Sequence, residues 1–334
     1  MRLVRYYGEV PASLKGGVIA LGNFDGLHLG HQAVIGEAVR LARSKNAPAA
    51  VMTFEPHPRL FFKLDQEPFR LSPFRIKARL IEAMGVDYLY VQTFDREFSQ
   101  HTAEGFVEQI LVKGLGISHV VVGFDYVFGC GRGGNVAQLH EMARMHNFGV
   151  TAIAEKRNGS DGAAPDTRYS SSNIREFLKA GQCRQAAQLL GRYWEMEGRV
   201  EHGDQRGRFM GFPTANMPHR DYLRPQRGVY AVRVGIDRGV ETVWRDGIAN
   251  FGYRPTFNKK DLLLEVHLFD VNEDLYQKHL RVALIDYIRP EMKFDGLEAI
   301  KAQIALDCVK ARELLKGHAF ALGPAPFVPV SKGV

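Results

Sequence analysis

The chain has 334 residues, 45% hydrophobic and 24% charged, with a formal net charge of +7. This length and apolar content favour two domains with sizeable cores and exclude wholesale disorder. The three cysteines, Cys130, Cys183 and Cys308, are odd in number and lack C-x-x-C spacing, which argues against a disulfide framework or zinc site and fits a reducing cytoplasm.

The opening MRLVRYYGEVPASLKGG lacks the apolar core of a signal peptide, and no run is long enough to cross a bilayer, so no membrane partner is expected. A basic balance suits anionic partners. Without a dense Lys/Arg tail, small phosphorylated ligands are favoured over nucleic acid.

In chain order, apolar runs at 16–22, 47–54, 86–94, 118–124 and 149–155 predict buried strands. Helical periodicity at 30–44, 73–84, 102–114 and 135–147 separates them. This alternation predicts a parallel sheet with helices on both faces and ligands at the carboxyl ends of its strands. A polar loop at 155–172 and two short helices at 172–180 and 184–190 follow. Beyond Gly191 the pattern changes to short alternating strands: EMEGRVEHG, RGVYAVRVGI, VETVWRDGIANFG, LLLEVHLFDV and LRVALIDYI. These predict a small antiparallel barrel, closed by a helix near 296–315 and a loose tail.

The first strand-helix corner, GNFDGLHLGH (22–31), combines glycines with two histidines three apart. Glycines let backbone amides approach an oxygen-rich ligand, and a helix N-terminus favours negative charge. His28 and His31 are suited to donate hydrogen bonds to a phosphate in a transition state. FEPHPR places His57 just past the next strand, where it reads as an ordinary turn. VVGFDYVFGCGRGGN contains a literal G-x-G-x-x-G from Gly129 to Gly134. Its first glycine does not directly follow the strand, so a phosphate- or base-contacting loop bearing Arg132 is expected in place of a dinucleotide fingerprint. SSSNIREFL reads as a helix N-cap with Arg175 one turn inside.

In the second half, GRVEHGDQRGRFMGFPTANM offers amides and cations to phosphates without a Walker loop, and Thr214 and Asn216 offer neutral oxygens to magnesium. GIANFGYRPTF reads as a turn-rich strand pair. Glu265, in LLLEVHLFD, is either an exposed alternate residue or a base.

GNFDGLHLGH, FEPHPR, LSPFRIKARL, GFDYVFG and SSSNIR together resemble, in order, the amino-terminal half of bacterial bifunctional riboflavin kinase/FAD synthetases. The resemblance implies a Rossmann-like nucleotidyltransferase domain over residues 1–185, acting as an FMN adenylyltransferase. ATP would meet Gly22, Asn23, Phe24, Asp25, Gly26, His28, His31 and Arg175. The flavin would meet His57, Asp125 and Phe128. Two departures stand out: Val127 where a basic residue is common, and Asn135 where an Asp is. They motivate an alternative in which this domain is weak or differently specific.

GRVEHGDQRGRFMGFPTANM, GVYAV, GIANFGYRPTF, LEVHLFD and IRPEMKF are similar to the riboflavin kinase module, implied over residues 186–316, with 317–334 as tail. By that resemblance Gly203, Arg208, Gly211, Pro213, Thr214 and Asn216 bind nucleotide, Thr214 and Asn216 also hold Mg2+, and Glu265 is the base. Arg289 and Glu291 match the family's R-x-E string, and Gln277 replaces a glycine expected after Leu-Tyr. ATP, riboflavin, FMN and FAD are the implied substrates and products. Self-association is compatible with the resemblance.

Overall fold

The computed structural model describes residues 1–62, 67–157, 159, 166–202, 211–219, 221–239, 241–256, 259–317 and 321–324, without side chains for 254–256 and 259–261. The chain packs as two units, the first from Met1–Glu67 and Phe74–Arg157, the second from Pro68–Pro73 and Asn158–Pro326. Of the tail predicted over 317–334, residues 317 and 321–324 are described, and 321–324 are not loose: the Tyr193 amide donates to the Ala321 carbonyl and the Gly323 amide to Glu195.

The first unit contains β1 (Arg2–Val4), β2 (Val18–Leu21), β3 (Ala49–Glu55), β4 (Tyr88–Thr93), β5 (His119–Gly123), the two-residue strands β6 (Val127–Phe128) and β7 (Gly134–Asn135), and β8 (Gly149–Ile153). Six of these form a sheet in the order β1-β4-β3-β2-β5-β8, with every pair parallel. All four residues of β2 are buried. This is why the run reads as continuously apolar: a parallel sheet is covered on both faces. The helix Leu29–Ser44 follows β2 and buries Val34, Ile35, Ala38 and Ala42, the stripe that its periodicity predicts.

From β2 the chain moves to β3 on one side and later returns to place β5 on the other. The strand order therefore reverses at β2, and the carboxyl end of β2 is the switch point where open α/β sheets bind ligands. GNFDGLH begins there.

In the second unit, helices Ser171–Lys179 and Cys183–Leu190 precede β9 (Glu195–Arg199), β10 (Ala215–Pro218), β11 (Gly228–Asp237), β12 (Thr242–Thr256), β13 (Lys259–Leu268) and β14 (His279–Arg289). These six strands pair antiparallel in the order β10-β13-β12-β11-β14-β9. Just past β9, Glu201 bridges to Asn216 of β10, its amide donating to the Asn216 carbonyl at 2.9 Å. The sheet thus nearly closes into a barrel, as expected. The helix Leu297–Leu315 covers it with Ala311 and Leu315 against Ile285 and Ile288, and Arg289 anchors it through a forked pair to Asp307 (2.7–3.0 Å).

One expectation is corrected. GIANFGYRPTF is no strand pair: its described residues, 247–256, are part of the single fifteen-residue strand β12. A side chain at Gly247 would strike the His267 carbonyl, and one at Gly252 would strike the Glu291 carboxylate. The glycines permit close approach inside a strand and do not mark turns.

A buried charge pair lies on the face of the barrel sheet that packs against the helix, the side of Ala283 and Ile285. Arg281 is fully buried and forks onto Glu195 at 2.9–3.2 Å, while its other nitrogen donates to Thr242 at 3.0 Å. The Gly323 amide caps the same carboxylate at 2.6 Å. Arg281→Met is expected to destabilise the protein by about 3–5 kcal/mol, because it strands a buried carboxylate. Replacing both partners by apolar residues is expected to cost far less, and chemical denaturation of the two variants tests the contrast.

Candidate functional sites in the two units

At the carboxyl end of β2 the backbone makes an unusual turn. Phe24, Gly26 and Leu27 all adopt positive φ, at +50°, +84° and +42°. Two of these are ordinary L-residues, for which that region costs of order 1–3 kcal/mol each. A side chain at Gly22 would crowd the buried Phe24 ring, since its Cβ would lie 2.9 Å from that ring. The turn delivers His28 to the N-cap of the helix Leu29–Ser44, a place usually held by Ser, Thr, Asp or Asn. The His28 Nδ1 accepts the His31 amide at 3.2 Å. In the neutral ring this assigns the proton to Nε2, which makes Nε2–H a donor. The His31 ring stacks on His28 with centroids 3.6 Å apart, and Phe24 braces His31 edge-on at 5.3 Å. Asp25 and His28 are both buried. A helix N-terminus carrying two aligned imidazoles can hold a phosphate and stabilise charge that grows on it.

Beside it, Glu55 ends β3 and precedes the cis Glu55–Pro56 bond and His57, whose Nδ1 accepts the Arg59 amide at 3.1 Å. The predicted flavin residues differ in setting. Asp125 is exposed, whereas Phe128 is buried among Phe106, Tyr126 and their neighbours. The expected loop is in part a small hairpin, in which Val127 pairs directly with Asn135. The two departures from the family pattern are thus cross-strand partners. Asn135 caps the helix Val136–His146 through a reciprocal bond with Gln138, at 3.1 and 3.0 Å, a task Asn performs as well as Asp. Arg132 stands exposed at positive φ on the hairpin tip.

Ser170 caps the helix Ser171–Lys179 by accepting the Asn173 amide at 3.2 Å, as its sequence predicts. Arg175 belongs to the second unit. Its Nε donates to the Phe69 carbonyl at 2.9 Å, and its guanidinium lies 5.3 Å from the Phe69 ring centroid.

In the barrel, register brings the predicted kinase residues together. Asn216 of β10 lies directly opposite Glu265 of β13, and Asn250 of β12 lies opposite Glu265 on its other side. Directly opposed residues share a sheet face, with Cβ atoms about 4.5–5.5 Å apart. A row Asn216–Glu265–Asn250 therefore crosses three strands. Leu264 and Val266 point into the core, so Glu265 takes the other, half-exposed face. Asn216 is buried and Thr214 half-buried just before β10. Pro213 joins the same edge through its carbonyl, 2.8 Å from His267 Nδ1, and Gly211 takes φ +85° in an exposed turn. Gly203 and Arg208 lie outside the described residues. Asn250 was not singled out from sequence; only strand pairing reveals it.

Gln277 has φ +62°, which explains why a glycine suits this position. Its amide donates to the Val200 carbonyl at 3.1 Å, so the turn is held despite the side chain. Gln277→Gly is expected to change stability by about +0.5 to +1 kcal/mol, strain relief outweighing the added unfolded-state freedom. A thermal melt checks the sign.

Comparison with known proteins finds one family model for each half of the chain. The FAD synthetase family model matches residues 10–164, and the riboflavin kinase model matches residues 190–315. The chain is 40% identical to the bifunctional riboflavin kinase/FMN adenylyltransferase of Escherichia coli (strain K12), over 94% of this chain and 97% of that one. It is 38% identical to the Bacillus subtilis (strain 168) protein of the same description, over 87% and 90%. Among solved structures it is similar to a Streptococcus pneumoniae chain described as a macrolide-efflux protein, with a TM-score of 0.80, 29% identity, and 93% and 98% coverage. Among the described residues of the present chain, no helix is long and apolar enough to cross a membrane.

Proposed function

Because the chain belongs to the bifunctional riboflavin kinase/FMN adenylyltransferase family, we propose that its two steps divide between the two sites described above. The enzyme phosphorylates riboflavin to FMN and adenylylates FMN to FAD, with ATP as the second substrate of both reactions. We assign the first step to residues 186–316 and the second to residues 1–185.

The barrel register carries the kinase assignment, because it puts Asn216 and Glu265 side by side on one face. Glu265 accepts the proton of the terminal ribityl hydroxyl as that oxygen attacks the γ-phosphorus. The Thr214 hydroxyl and the Asn216 carboxamide are hard, neutral oxygen donors at the same edge. They fit magnesium, which takes few protein ligands and completes its shell with phosphates and water. When bound, the ion neutralises charge on the transferred phosphoryl group.

The adenylyltransferase site has a different task. Its nucleophile, the FMN phosphate, is already an anion, so the site needs donors and no base. His28, through Nε2–H, and His31 stabilise the charge growing around the α-phosphorus as pyrophosphate leaves. The glycine-bearing turn of Gly22–Gly26 supports close approach by the ATP phosphates. His57, Asp125 and Phe128 serve the flavin side. Three cysteines without disulfides fit action in the cytoplasm.

Incubating the full chain with riboflavin, ATP and magnesium and separating the flavins tests the reading. FMN appearing first and FAD later is expected; absence of both overturns it. The register adds a sharper check. Asn250→Asp would put a second carboxylate beside Glu265, which would then hold its proton more tightly. The acid limb of the kinase kcat profile is expected to move to higher pH, with FAD formation from supplied FMN unmoved.

A further inference from the structure

The helix Phe74–Glu82, within LSPFRIKARL, buries six consecutive residues, two of them cationic, Lys77 and Arg79. Lys77 is only 2% exposed. Lysine is almost never buried to this degree without a partner, because removing an ammonium from water costs several kcal/mol. A leucine or methionine in its place would avoid that penalty.

The partners of Lys77 show what the buried charge holds. Its Nζ donates to Glu55 Oε1 at 3.1 Å and to Thr53 Oγ1 at 3.2 Å. Thr53 is itself fully buried, and its hydroxyl donates onward to the Asn23 carbonyl at 3.1 Å. Glu55 is the last residue of β3, just before Pro56 and His57. Asn23 belongs to the turn that leaves β2. One ammonium therefore reaches the carboxyl ends of two adjacent parallel strands.

The turn it reaches needs such support. Phe24 and Leu27 sit at positive φ immediately after Asn23. Residues in that region persist only where the surroundings over-determine them. If the turn relaxed, the N-cap His28 and the ring stacked on it would move together, and donors aimed at a developing charge lose most of their value when displaced.

We infer that Lys77 is a positioning residue for adenylyl transfer, acting through Thr53 on the Asn23 turn and through Glu55 on the His57 loop. The inference rests on the assignment of adenylyl transfer to this corner. Lys77 touches no reacting atom. It sets where His28 and His31 stand, so its loss should fall on kcat more than on KM.

The deciding variant is Thr53→Val in the full chain. It keeps the shape of a fully buried side chain and retains the Lys77–Glu55 pair, removing the one hydroxyl that joins Lys77 to the Asn23 carbonyl. FAD formation from FMN and ATP is expected to lose roughly tenfold in kcat, with both KM values within about threefold. FMN formation from riboflavin, measured on the same preparation, should be unchanged and reports that the chain is folded. Thr53→Ser should recover most of the lost kcat, and a folded Lys77→Met should lose more than Thr53→Val does. Wild-type kcat in Thr53→Val overturns the inference, whatever Lys77→Met does to folding. So does a lower melting temperature with unchanged kcat, which would mark the network as structural. A wild-type chain that forms no FAD overturns the site assignment as well, which separates the two failures.

Discussion

Glu265→Gln is expected to lower FMN formation by roughly 10²- to 10⁴-fold, the range that a positioned general base supplies. The substitution is nearly isosteric and keeps a hydrogen-bonding group between Asn216 and Asn250, so the three-strand register should survive. What disappears is the only change that matters chemically, a group able to take the hydroxyl proton as the oxygen attacks. KM for riboflavin and ATP should move little, because the interaction is made in the transition state. Conversion of supplied FMN to FAD should continue at the wild-type rate. Steady-state kinetics of the two half-reactions on one preparation read both outcomes. Loss of both activities in a folded variant would overturn the two-site division, and unchanged FMN formation would remove Glu265 as the base.

His28→Ala is expected to do the reverse, lowering FAD formation by about 10²- to 10³-fold, as loss of one preorganised donor does. Two losses are combined in it. The Nε2–H donor goes, and so does the Nδ1 acceptor that caps the His31 amide, worth about 1 kcal/mol of helix stability. His28→Asn separates them, since asparagine is a good N-cap but lacks a donor at the reach of Nε2. It should restore thermal stability without restoring FAD formation. FMN formation by the barrel should remain intact in both variants. If His28→Asn forms FAD at the wild-type rate, the imidazole is no transition-state donor.

Much of this layout was legible in the sequence because the strands that build the first sheet are buried on both faces. Continuous apolar runs such as Val18–Leu21 announce themselves. Strand Arg2–Val4 was missed because three residues are too few for any period. The long strand Thr242–Thr256 reads as broken because glycine usually signals a turn; at Gly247 it instead makes room for the His267 carbonyl of β13, and at Gly252 for the Glu291 carboxylate just past β14. The row of kinase residues was half visible. Asn216 and Glu265 stood out through their motifs, whereas Asn250 becomes their neighbour only through register. Lys77 was hidden most completely. A lysine in a helical pattern reads as a solvent-facing residue, and nothing local reveals that its ammonium lies under two loops.

The bond from the Gly323 amide to Glu195 bears on how the chain is cut and tagged. The riboflavin kinase match stops at residue 315, which makes that an inviting place to end a shortened barrel. A barrel trimmed there loses a donor to this buried carboxylate, together with the Ala321 carbonyl that receives the Tyr193 amide at 3.0 Å. Position 323 also rejects a side chain, since a Cβ would strike the same carboxylate. The other end is no freer, because the Met1 amino group pairs with Glu82 at 3.0 Å. Fusions are therefore better attached beyond residue 324, which leaves these contacts in place.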